Sequence, residues 1–231
     1  MERLLDKELL DDEHAVDDTE LMNSLREVWQ VNRYLGGNPA LFRHLKQMIT
    51  AIERDRAIRL LDVATGLADI PVALAHWADK RSITLDITGV DIHPRITELA
   101  ANRTAQTGRI RIEQGDGRRL AFDDGAFDIG FSNLALHHLD EEDAILMIRE
   151  LSRVCRTGWV VADLERHPAA YAAARLLARF VWRSPVTRHD GPLSVRRSYT
   201  APELRELLRR AGVQGNVYRH FPYRLAVVGH G

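Results

Sequence analysis

Cysteine is nearly absent from this chain of 231 residues, since Cys155 is the only one. A single cysteine cannot form a disulfide within the monomer, and its place after an apolar helix pattern predicts a buried, inert thiol. The chain also lacks an uncharged apolar run of about 18 residues, which argues against a membrane span. Its first residues, Met1 to Leu4, do not resemble a signal peptide. These absences predict a globular, cytoplasmic protein.

Neither sign of charge dominates, because 32 basic and 33 acidic residues leave a net charge of −1. This balance gives no indication of nucleic acid as a partner. Arginines are concentrated between Arg175 and Arg219, and acids near the start of the chain. We interpret the acidic segment as a solvated face; attraction between the two ends, or an anionic substrate at the basic end, stays open. The acids of this segment are Glu2, Asp6, Glu8, Asp11, Asp12, Glu13, Asp17, Asp18 and Glu20.

The order of apolar patterns predicts a polar arm over residues 1–18, a helix from Thr19 to about Asn32 and a second helix from Leu41 to Ile52. From Ile58 onward, strands and helices alternate, which predicts a doubly wound, mostly parallel sheet with helices on both faces. The predicted strands cover 58–64, 83–90, 110–114, 127–132, 159–162, 213–220 and 224–228. The predicted helices among them cover 70–78, 94–103, 140–154, 169–182 and 200–211.

The segment Leu60–Pro71 predicts a strand, a tight turn and a helix, the place where sheets of this kind bind nucleotides. Small residues stand at alternate positions of the turn, Ala64, Gly66 and Ala68, so that a ligand can approach the backbone. The G-x-G-x-x-G pattern of dinucleotide-binding folds is missing, which disfavours an NAD-dependent oxidoreductase. Asp91 follows the second strand, where a carboxylate can accept hydrogen bonds from ribose hydroxyls.

Five motifs occur in the order found in class I S-adenosylmethionine (SAM) methyltransferases, and the chain resembles that family from Ile58 to Val228. The motifs are 64–68, 88–91, 114–117, 127–129 leading into 132–139, and 150–154. The resemblance implies SAM as methyl donor and S-adenosylhomocysteine as product. It also implies an α/β, Rossmann-like, seven-stranded sheet with an antiparallel last strand and an N-terminal helical cap. We place the arm and cap in 1–54, and the SAM-binding domain in 55–231 with an acceptor-site insertion at about 164–200.

The resemblance also implies particular cofactor contacts. The turn would line the methionine part of SAM, Asp91 would hold the ribose, and Ile92 would pack on the adenine. Asp116 would accept a hydrogen bond from the adenine amino group, and the backbone carbonyl of Asn133 would contact the amino group of the methionine part. The predicted cofactor residues are Ala64, Thr65, Gly66, Ala68, Asp91, Ile92, Asp116, Gly117 and Asn133.

The segment Leu134–Leu139 is similar to one in quinone-biosynthesis methyltransferases and in small bacterial methyltransferases that act on phenolic or polyketide-like products. This resemblance implies O-methylation of a phenolic, quinol or polyketide-like hydroxyl of a small-molecule acceptor, as in secondary metabolism. Carbon methylation of a similar ring and a non-catalytic SAM-binding module are the alternatives. Monomer and homodimer both stay open.

Three histidines are candidate bases, because an imidazole suits proton removal near neutral pH. His137 and His138 are adjacent, so their side chains are expected to diverge and at most one to face the site; a structural role is the alternative. His189, beside Asp190, is the third. No metal is predicted, since no second ligand pair has metal spacing and the acids of 140–143 are interpreted as a helix cap.

The segment from Arg188 to Tyr199 is predicted to be a loop that helps to build the acceptor pocket. Its arginines are interpreted as ligands for a carboxylate or phenolate, with solvation as the alternative. The acceptor-binding candidates are Arg33, Tyr34, Arg188, Arg196, Arg197 and Tyr199.

Overall fold

The fold is known from a computed structural model that describes residues 1–11, 16–34, 36–53 and 55–231. The predictions that involve Asp12, Glu13 and the domain boundary at Arg54 lie outside these residues. The strands are β1 (Ile58–Val63), β2 (Leu85–Asp91), β3 (Ile110–Gln114), β4 (Phe127–Asn133), β5 (Cys155–Leu164), β6 (Gly215–His220) and β7 (Arg224–His230). The helices are α1 (Asp18–Tyr34), α2 (Gly37–Ala51), α3 (Asp69–Asp79), α4 (Pro94–Thr104), α5 (Glu141–Val154), α6 (Pro168–Phe180), α7 (Pro185–Arg197) and α8 (Ala201–Ala211).

The strands of the described residues form one seven-stranded sheet in the order β3-β2-β1-β4-β5-β7-β6. Strands β1 to β5 pair in parallel, and β7 runs antiparallel to both β5 and β6. The predicted fold class is therefore confirmed, including the antiparallel last strand. Because β1 lies between β2 and β4, the order of the strands reverses beside it, and a crevice opens at the carboxyl ends there.

Neighbouring residues of β1 are buried in two different cores, because side chains alternate across a strand. Leu60 packs into the cluster that contains Leu45 of α2 and Leu74 of α3. Leu61 packs on the other face with residues of α5 and α8 such as Leu151. Helices therefore cover both faces of the sheet. Among the described residues, none of the helices is long and apolar enough to cross a membrane.

Three local predictions are confirmed. The Asp140 carboxylate accepts a hydrogen bond of 2.9 Å from the backbone N–H of Asp143, which caps α5. The Glu203 carboxylate accepts one of 2.7 Å from the backbone N–H of Thr200 at the start of α8. Cys155 is buried, and burial raises the pKa of its thiol to about 12, so that it is an inert core residue.

The prediction of a loop over 188–199 is wrong, because most of that segment belongs to helix α7. Pro185 occupies the first turn, where a missing N–H costs nothing, and the Ser184 side chain accepts a hydrogen bond from the backbone N–H of Thr187. Pro192 inside the helix and the polar side chains on its buried face hid the helical pattern. Asp190 and Arg197, both buried, belong to that face.

The arm, predicted to be polar and of uncertain order, packs against α7. The backbone N–H of Leu9 donates to the Asp190 carboxylate at 2.9 Å, and an Arg197 N–H donates to the Asp11 carboxylate at 2.7 Å. Glu8 is only 4% exposed. The interpretation of the acidic segment as a solvated face is therefore wrong for Glu8, whereas Asp11 is exposed but paired with Arg197. The attraction between the two ends of the chain, which the sequence left open, is what the structure contains.

Helix α5 lies so close to β4 at Gly130 that a side chain has no room. A Cβ atom there would lie 2.4 Å from Sγ of Cys155 and 3.0 Å from Cδ2 of Leu151. We expect Gly130→Ala to lower the free energy of unfolding by about 1–3 kcal/mol, the cost of overpacking a core. Urea denaturation followed by circular dichroism measures this change.

The double variant Gly130→Ala, Cys155→Ala tests the cause, because the second substitution removes the nearest obstructing atom. Its loss of stability should be smaller than the sum of the two single losses by about 0.5 kcal/mol or more. Strictly additive losses would show that the Cys155 sulfur is not the obstacle.

Candidate functional site

A cavity of about 150 Å³ lies at the carboxyl ends of β1 and β4, and we call it the strand-end cavity. The turn after β1 and the end of β4 supply its floor, and α1 and α2 supply its cover. Its lining includes the polar or small residues Asp62, Ala64, Thr65, Gly66, Asn38 and Asn133. Four of the predicted cofactor residues, Ala64, Thr65, Gly66 and Asn133, are therefore brought together on its wall.

The turn after β1 keeps a tight backbone path although two of its small residues are alanines. The φ angles are +60° at Ala64, +55° at Gly66 and +57° at Ala68. Left-handed backbone costs a non-glycine residue about 1–2 kcal/mol, so the chain holds two alanines there under strain. Among the described residues, no atom lies within 4 Å of the position that a Cβ of Gly66 would take. The turn thus presents bare backbone to open space.

Asp91 links the end of β2 to this turn. Its carboxylate accepts hydrogen bonds from the backbone N–H groups of Gly66 at 2.9 Å and His93 at 3.1 Å. Burial raises the pKa of Asp91, and these two hydrogen bonds oppose the increase. An ionised carboxylate has about four acceptor positions, so two are left for hydroxyl groups of a ligand.

Asp62, inside β1, is a site residue that the sequence interpretation missed. It is buried, lines the strand-end cavity and accepts a hydrogen bond of 2.8 Å from the Thr65 hydroxyl. Burial raises the pKa of Asp62 well above its usual range. An acid in an otherwise apolar buried strand was the available indication, since such residues are almost never buried without a partner.

Two asparagines that line the same cavity carry unsatisfied polar atoms. Oδ1 of Asn133 and both amide atoms of Asn38 are buried and have no hydrogen-bond partner among the described residues. Such atoms cost about 1–3 kcal/mol each when nothing satisfies them. Both residues line the strand-end cavity, so a polar ligand there would supply the missing partners. Asn38 had no indication in the sequence, because its position depends on how α2 crosses the sheet.

The remaining predicted cofactor residues lie on neighbouring strand ends, outside the lining of the strand-end cavity. The Asp116 carboxylate is paired with the Arg118 guanidinium at 2.7 Å, which holds the pKa of Asp116 below its usual range. Ile92 is 58% exposed. A Cβ at Gly117 would lie 2.5 Å from Cγ1 of Val63, so only glycine fits there. Contact between these residues and a ligand stays a prediction.

A second cavity, of about 310 Å³, lies among α1, α6, α7 and the arm, and we call it the helix cavity. Most of its wall is apolar, with Val31, Leu177 and Trp182 among the lining residues. It adjoins the strand-end cavity, because four residues line both: Leu25, Val28, Asn32 and Leu134. Three polar side chains, Glu8, His137 and His138, form one part of its wall, and we call them the polar cluster.

His137 is held in a fixed orientation by Asp163, which ends β5. Its Nδ1 lies 2.7 Å from one Asp163 carboxylate oxygen, and its backbone N–H donates to the other at 2.9 Å. Burial acts to raise the pKa of Asp163, but the imidazole and the hydrogen bonds outweigh it and hold that pKa below its usual value. Asp163 was missed, although an acid at a strand end is the indication that identified Asp91.

His138 faces the helix cavity as well, so the expectation that at most one of the two adjacent histidines does so is wrong. The rings of His137 and His138 lie 4.3 Å apart, and Nδ1 of His138 is 2.7 Å from the Asp11 carboxylate. The Glu8 carboxylate lies between them, 3.7 Å from Nε2 of His137 and 3.9 Å from Nε2 of His138. Burial raises the pKa of Glu8 to about 7.

His189, the third candidate base, lies elsewhere. Its Nδ1 is 2.8 Å from the Asp190 carboxylate, as the sequence neighbourhood suggested. Its side chain is 54% exposed, however, and it does not belong to the lining of the helix cavity. His137 and His138 are therefore the better placed of the three candidates.

The acceptor-binding candidates are not brought together. Buried Arg197 donates from Nε to the His137 carbonyl at 3.2 Å, and the Tyr199 hydroxyl donates to the Leu139 carbonyl at 3.0 Å. These contacts hold the turn that carries the histidines. The other four candidates are exposed or half-buried: Arg33, Tyr34, Arg188 and Arg196. None of the six lines the helix cavity as the described residues form it, so their role toward an acceptor stays a prediction.

Comparison with known proteins agrees with the geometry. Residues 60–158 match the sequence model of the family described as methyltransferase domain. Demethylmenaquinone methyltransferase of Staphylococcus epidermidis is 28% identical over 120 residues, which are 52% of this chain and 48% of that protein. The chain therefore spans about half the length of the curated relatives it matches.

Solved structures share the fold. A SAM dependent methyltransferase from Aquifex aeolicus superposes with a TM-score of 0.63 at 16% identity, covering 93% of this chain and 98% of that one. The [4+2]-cyclase SpnF superposes with a TM-score of 0.53 at 23% identity, covering 76% and 58% of the two chains. At these identities the likeness concerns architecture alone.

Ala64 offers a direct test of the strained turn, because it is exposed and its φ is +60°. We expect Ala64→Gly to raise the free energy of unfolding by about 0.5–1 kcal/mol, since relief of the left-handed alanine exceeds the added entropy of unfolded glycine. The control is Ala101→Gly in α4, also exposed, which should lower it by about 0.5–1 kcal/mol. Thermal and urea denaturation measure both variants. If Ala64→Gly lowers the free energy of unfolding as much as Ala101→Gly does, the backbone at Ala64 is not strained.

Proposed function

We propose that the chain is a class I, SAM-dependent methyltransferase and that it transfers the methyl group of SAM to a hydroxyl oxygen of a small acceptor, which the match of residues 60–158 to the methyltransferase domain model supports. The acceptor class is phenolic, quinol or polyketide-like. The observation that carries this proposal is the direct contact between two cavities. The strand-end cavity has the groups that SAM requires, and the helix cavity beside it has apolar walls and the polar cluster.

The strand-end cavity and Asp91, which lies beside it, suit SAM in three respects. The bare backbone of the turn at Gly66 leaves space for the methionine part. Asp91 accepts a hydrogen bond from Gly66 on the cavity wall, and its free acceptor positions suit the two ribose hydroxyls. The unsatisfied amide atoms of Asn133 and Asn38 offer partners to the ammonium and carboxylate groups of the methionine part. No phosphate is present in SAM, which agrees with the absence of a glycine-rich pyrophosphate turn.

The chemistry needs little from the protein beyond positioning. When bound, SAM supplies a methyl group on a sulfonium, which accepts the lone pair of the acceptor oxygen while the C–S bonding pair stays on sulfur. The protein therefore has to hold the acceptor oxygen in line, exclude water and receive the hydroxyl proton. The buried walls of the helix cavity exclude water. The polar cluster supplies side chains that can receive the proton of the acceptor hydroxyl.

The helix cavity matches an acceptor with an apolar body and one polar edge. Its volume of about 310 Å³ is at the lower end of small-molecule sites, which suits one or two rings. Alanines of α6, Ala170, Ala173 and Ala174, line it where larger residues would fill it. The relative in Staphylococcus carries the name of a methyltransferase for demethylmenaquinone, a compound of the same chemical type. Carbon methylation of a similar ring is the alternative, because the same cavity would present ring carbons to the donor.

The cofactor assignment is tested by Asp91→Ala. We expect this variant to bind SAM at least tenfold more weakly than the unmodified protein, since it loses the acceptors for the ribose hydroxyls. Isothermal titration calorimetry measures the affinity. The control is Asp86→Ala on the same strand, whose half-exposed carboxylate pairs with Arg111 at 3.3 Å and should leave the affinity unchanged.

Folding of Asp91→Ala is checked by circular dichroism, and Asp91→Asn keeps the shape of the side chain in case alanine disturbs the turn. Unchanged SAM affinity in both folded variants would overturn the cofactor assignment. Titration with NAD in parallel should give no heat of binding.

The acceptor assignment is tested by His137→Ala and by Asp163→Asn, which removes the charge that orients His137. Both should lower kcat by about 100-fold or more, because the oriented imidazole beside the acceptor hydroxyl is lost. Affinity for SAM should stay within about twofold. Transfer from isotopically labelled SAM to a panel of phenols, quinols and polyketides measures the rate, and nuclear magnetic resonance of the product separates O-methylation from C-methylation.

The matched control is His189→Ala, since His189 also has a carboxylate partner but lies outside the helix cavity. It should retain full turnover. If His189→Ala abolishes turnover and His137→Ala does not, the acceptor has been placed in the wrong cavity.

A further inference from the structure

The polar cluster brings together three side chains that are common metal ligands. Nε2 of His137, Nε2 of His138 and the Glu8 carboxylate offer one donor atom each, and these atoms lie within 4.8 Å of one another. All three residues line the helix cavity. No pattern in the sequence indicates this group, because Glu8 is 129 residues away from His137.

The spacing of the donors suits a shared cation better than direct hydrogen bonds. The distances from the Glu8 carboxylate to the two Nε2 atoms are 3.7 and 3.9 Å, and hydrogen bonds end at about 3.2 Å. Ligands placed about 2.0–2.1 Å from a tetrahedral zinc ion lie about 3.3–3.5 Å apart, so the three donors, which lie within 4.8 Å of one another, would move closer together around the ion.

Both histidines also carry the outer partner that metal-binding histidines have. Nδ1 of His137 and Nδ1 of His138 are each 2.7 Å from a carboxylate, that of Asp163 and that of Asp11. In metal sites a carboxylate at this position fixes the ring and makes the opposite nitrogen the ligand. The two independent carboxylates bind the Nδ1 atoms, and both Nε2 atoms are left near the Glu8 carboxylate.

The remaining polar contacts of Glu8 leave its charge incompletely balanced. The Ser194 hydroxyl donates to Oε1 at 2.9 Å, and Nε of Arg197 lies 3.9 Å from the same oxygen. Arg197 is already committed to the Asp11 carboxylate at 2.7 Å. A buried carboxylate of this kind is stabilised by a proton or by a cation, and the two imidazole nitrogens mark where a cation would lie.

We propose that Glu8, His137 and His138 bind one divalent transition-metal ion, with zinc as the representative. Two imidazoles and one carboxylate suit first-row divalent metals, and three protein ligands leave a coordination position open. That position faces the helix cavity, which the three ligands line. The side chain of His138 is 29% exposed, so the ion can reach the site from solvent.

The consequence for the reaction rests on the proposed function. Without the ion the polar cluster receives the hydroxyl proton. With the ion bound, the Nε2 atoms of the cluster hold the metal, the cation acts as a Lewis acid that lowers the pKa of the acceptor hydroxyl, and the proton is released to solvent as the acceptor binds, before the oxygen lone pair forms the new C–O bond. Acceptors with two neighbouring oxygens, such as quinols with an adjacent hydroxyl or carbonyl, would gain most. The site itself does not depend on this role.

Binding is tested with Zn²⁺ alone on the full-length, untagged protein after removal of metals with a chelator. Isothermal titration calorimetry and elemental analysis should give one Zn²⁺ per chain. Glu8→Gln, which keeps the size of the side chain, and His138→Ala should each weaken binding at least tenfold. His189→Ala should leave it unchanged, because that histidine has a carboxylate partner but lies outside the polar cluster.

Co²⁺ supplies a readout of the ligands themselves. The Co²⁺-loaded protein should show visible absorption bands of nitrogen and oxygen coordination, which His138→Ala removes while circular dichroism confirms that the variant is folded. Absence of Zn²⁺ and Co²⁺ binding, or binding that survives both Glu8→Gln and His138→Ala, would overturn the proposal.

The outcome for the metal is separable from the outcome for the methyltransferase. SAM affinity of the metal-free protein is measured by calorimetry, since the strand-end cavity does not include the polar cluster. One Zn²⁺ per chain without SAM binding would leave the metal site standing and remove the proposed function. If the protein binds SAM and transfers the methyl group but binds no metal, the proposed function would stand and the metal site would be overturned.

Discussion

The reversal of strand order beside β1 is the constraint on which the site depends. Strand β1 pairs with β2 on one side and β4 on the other, so the chain leaves the carboxyl ends of these strands in different directions and a crevice stays open. Asp91 and Asn133 stand at the ends of the two flanking strands, and the turn at Gly66 lies between them. The strain in this turn is tolerable because the flanking strands are buried and fix both of its ends.

Arg197 has a corresponding role for the second cavity. Its buried guanidinium donates to the carbonyls of His137 and His138 and to the Asp11 carboxylate, so that the histidine turn, α7 and the arm are fixed to one another. Glu8 reaches the helix cavity only because the arm is held in this way. The first and last thirds of the chain therefore build one wall, which explains why the acids and arginines lie at opposite ends of the sequence.

The fold could be predicted from the sequence because its causes are local. Alternating strands and helices, the cap at Asp140 and the acid at Asp91 are each visible within a few residues, and the seven-stranded sheet follows from general rules of connection. The predictions failed where long-range packing decides. Helix α7 buries polar residues against the arm, so it lacks an apolar face, and Glu8, Asn38 and Asp163 become site residues only through partners far away in the chain.

Carboxylates outnumber guanidiniums around the polar cluster. Four carboxylates gather there among the described residues, those of Glu8, Asp11, Asp163 and Asp190. The Arg197 guanidinium pairs with Asp11, and Arg224, which lines the same cavity, donates to the Asn32 side chain at 3.1 Å. Buried acids in excess of buried cations are costly unless protons or a metal ion compensate them. Two of these acids bind the two imidazoles, whose Nε2 atoms lie near the third, so the proposed cation would compensate the charge of this cluster at one place.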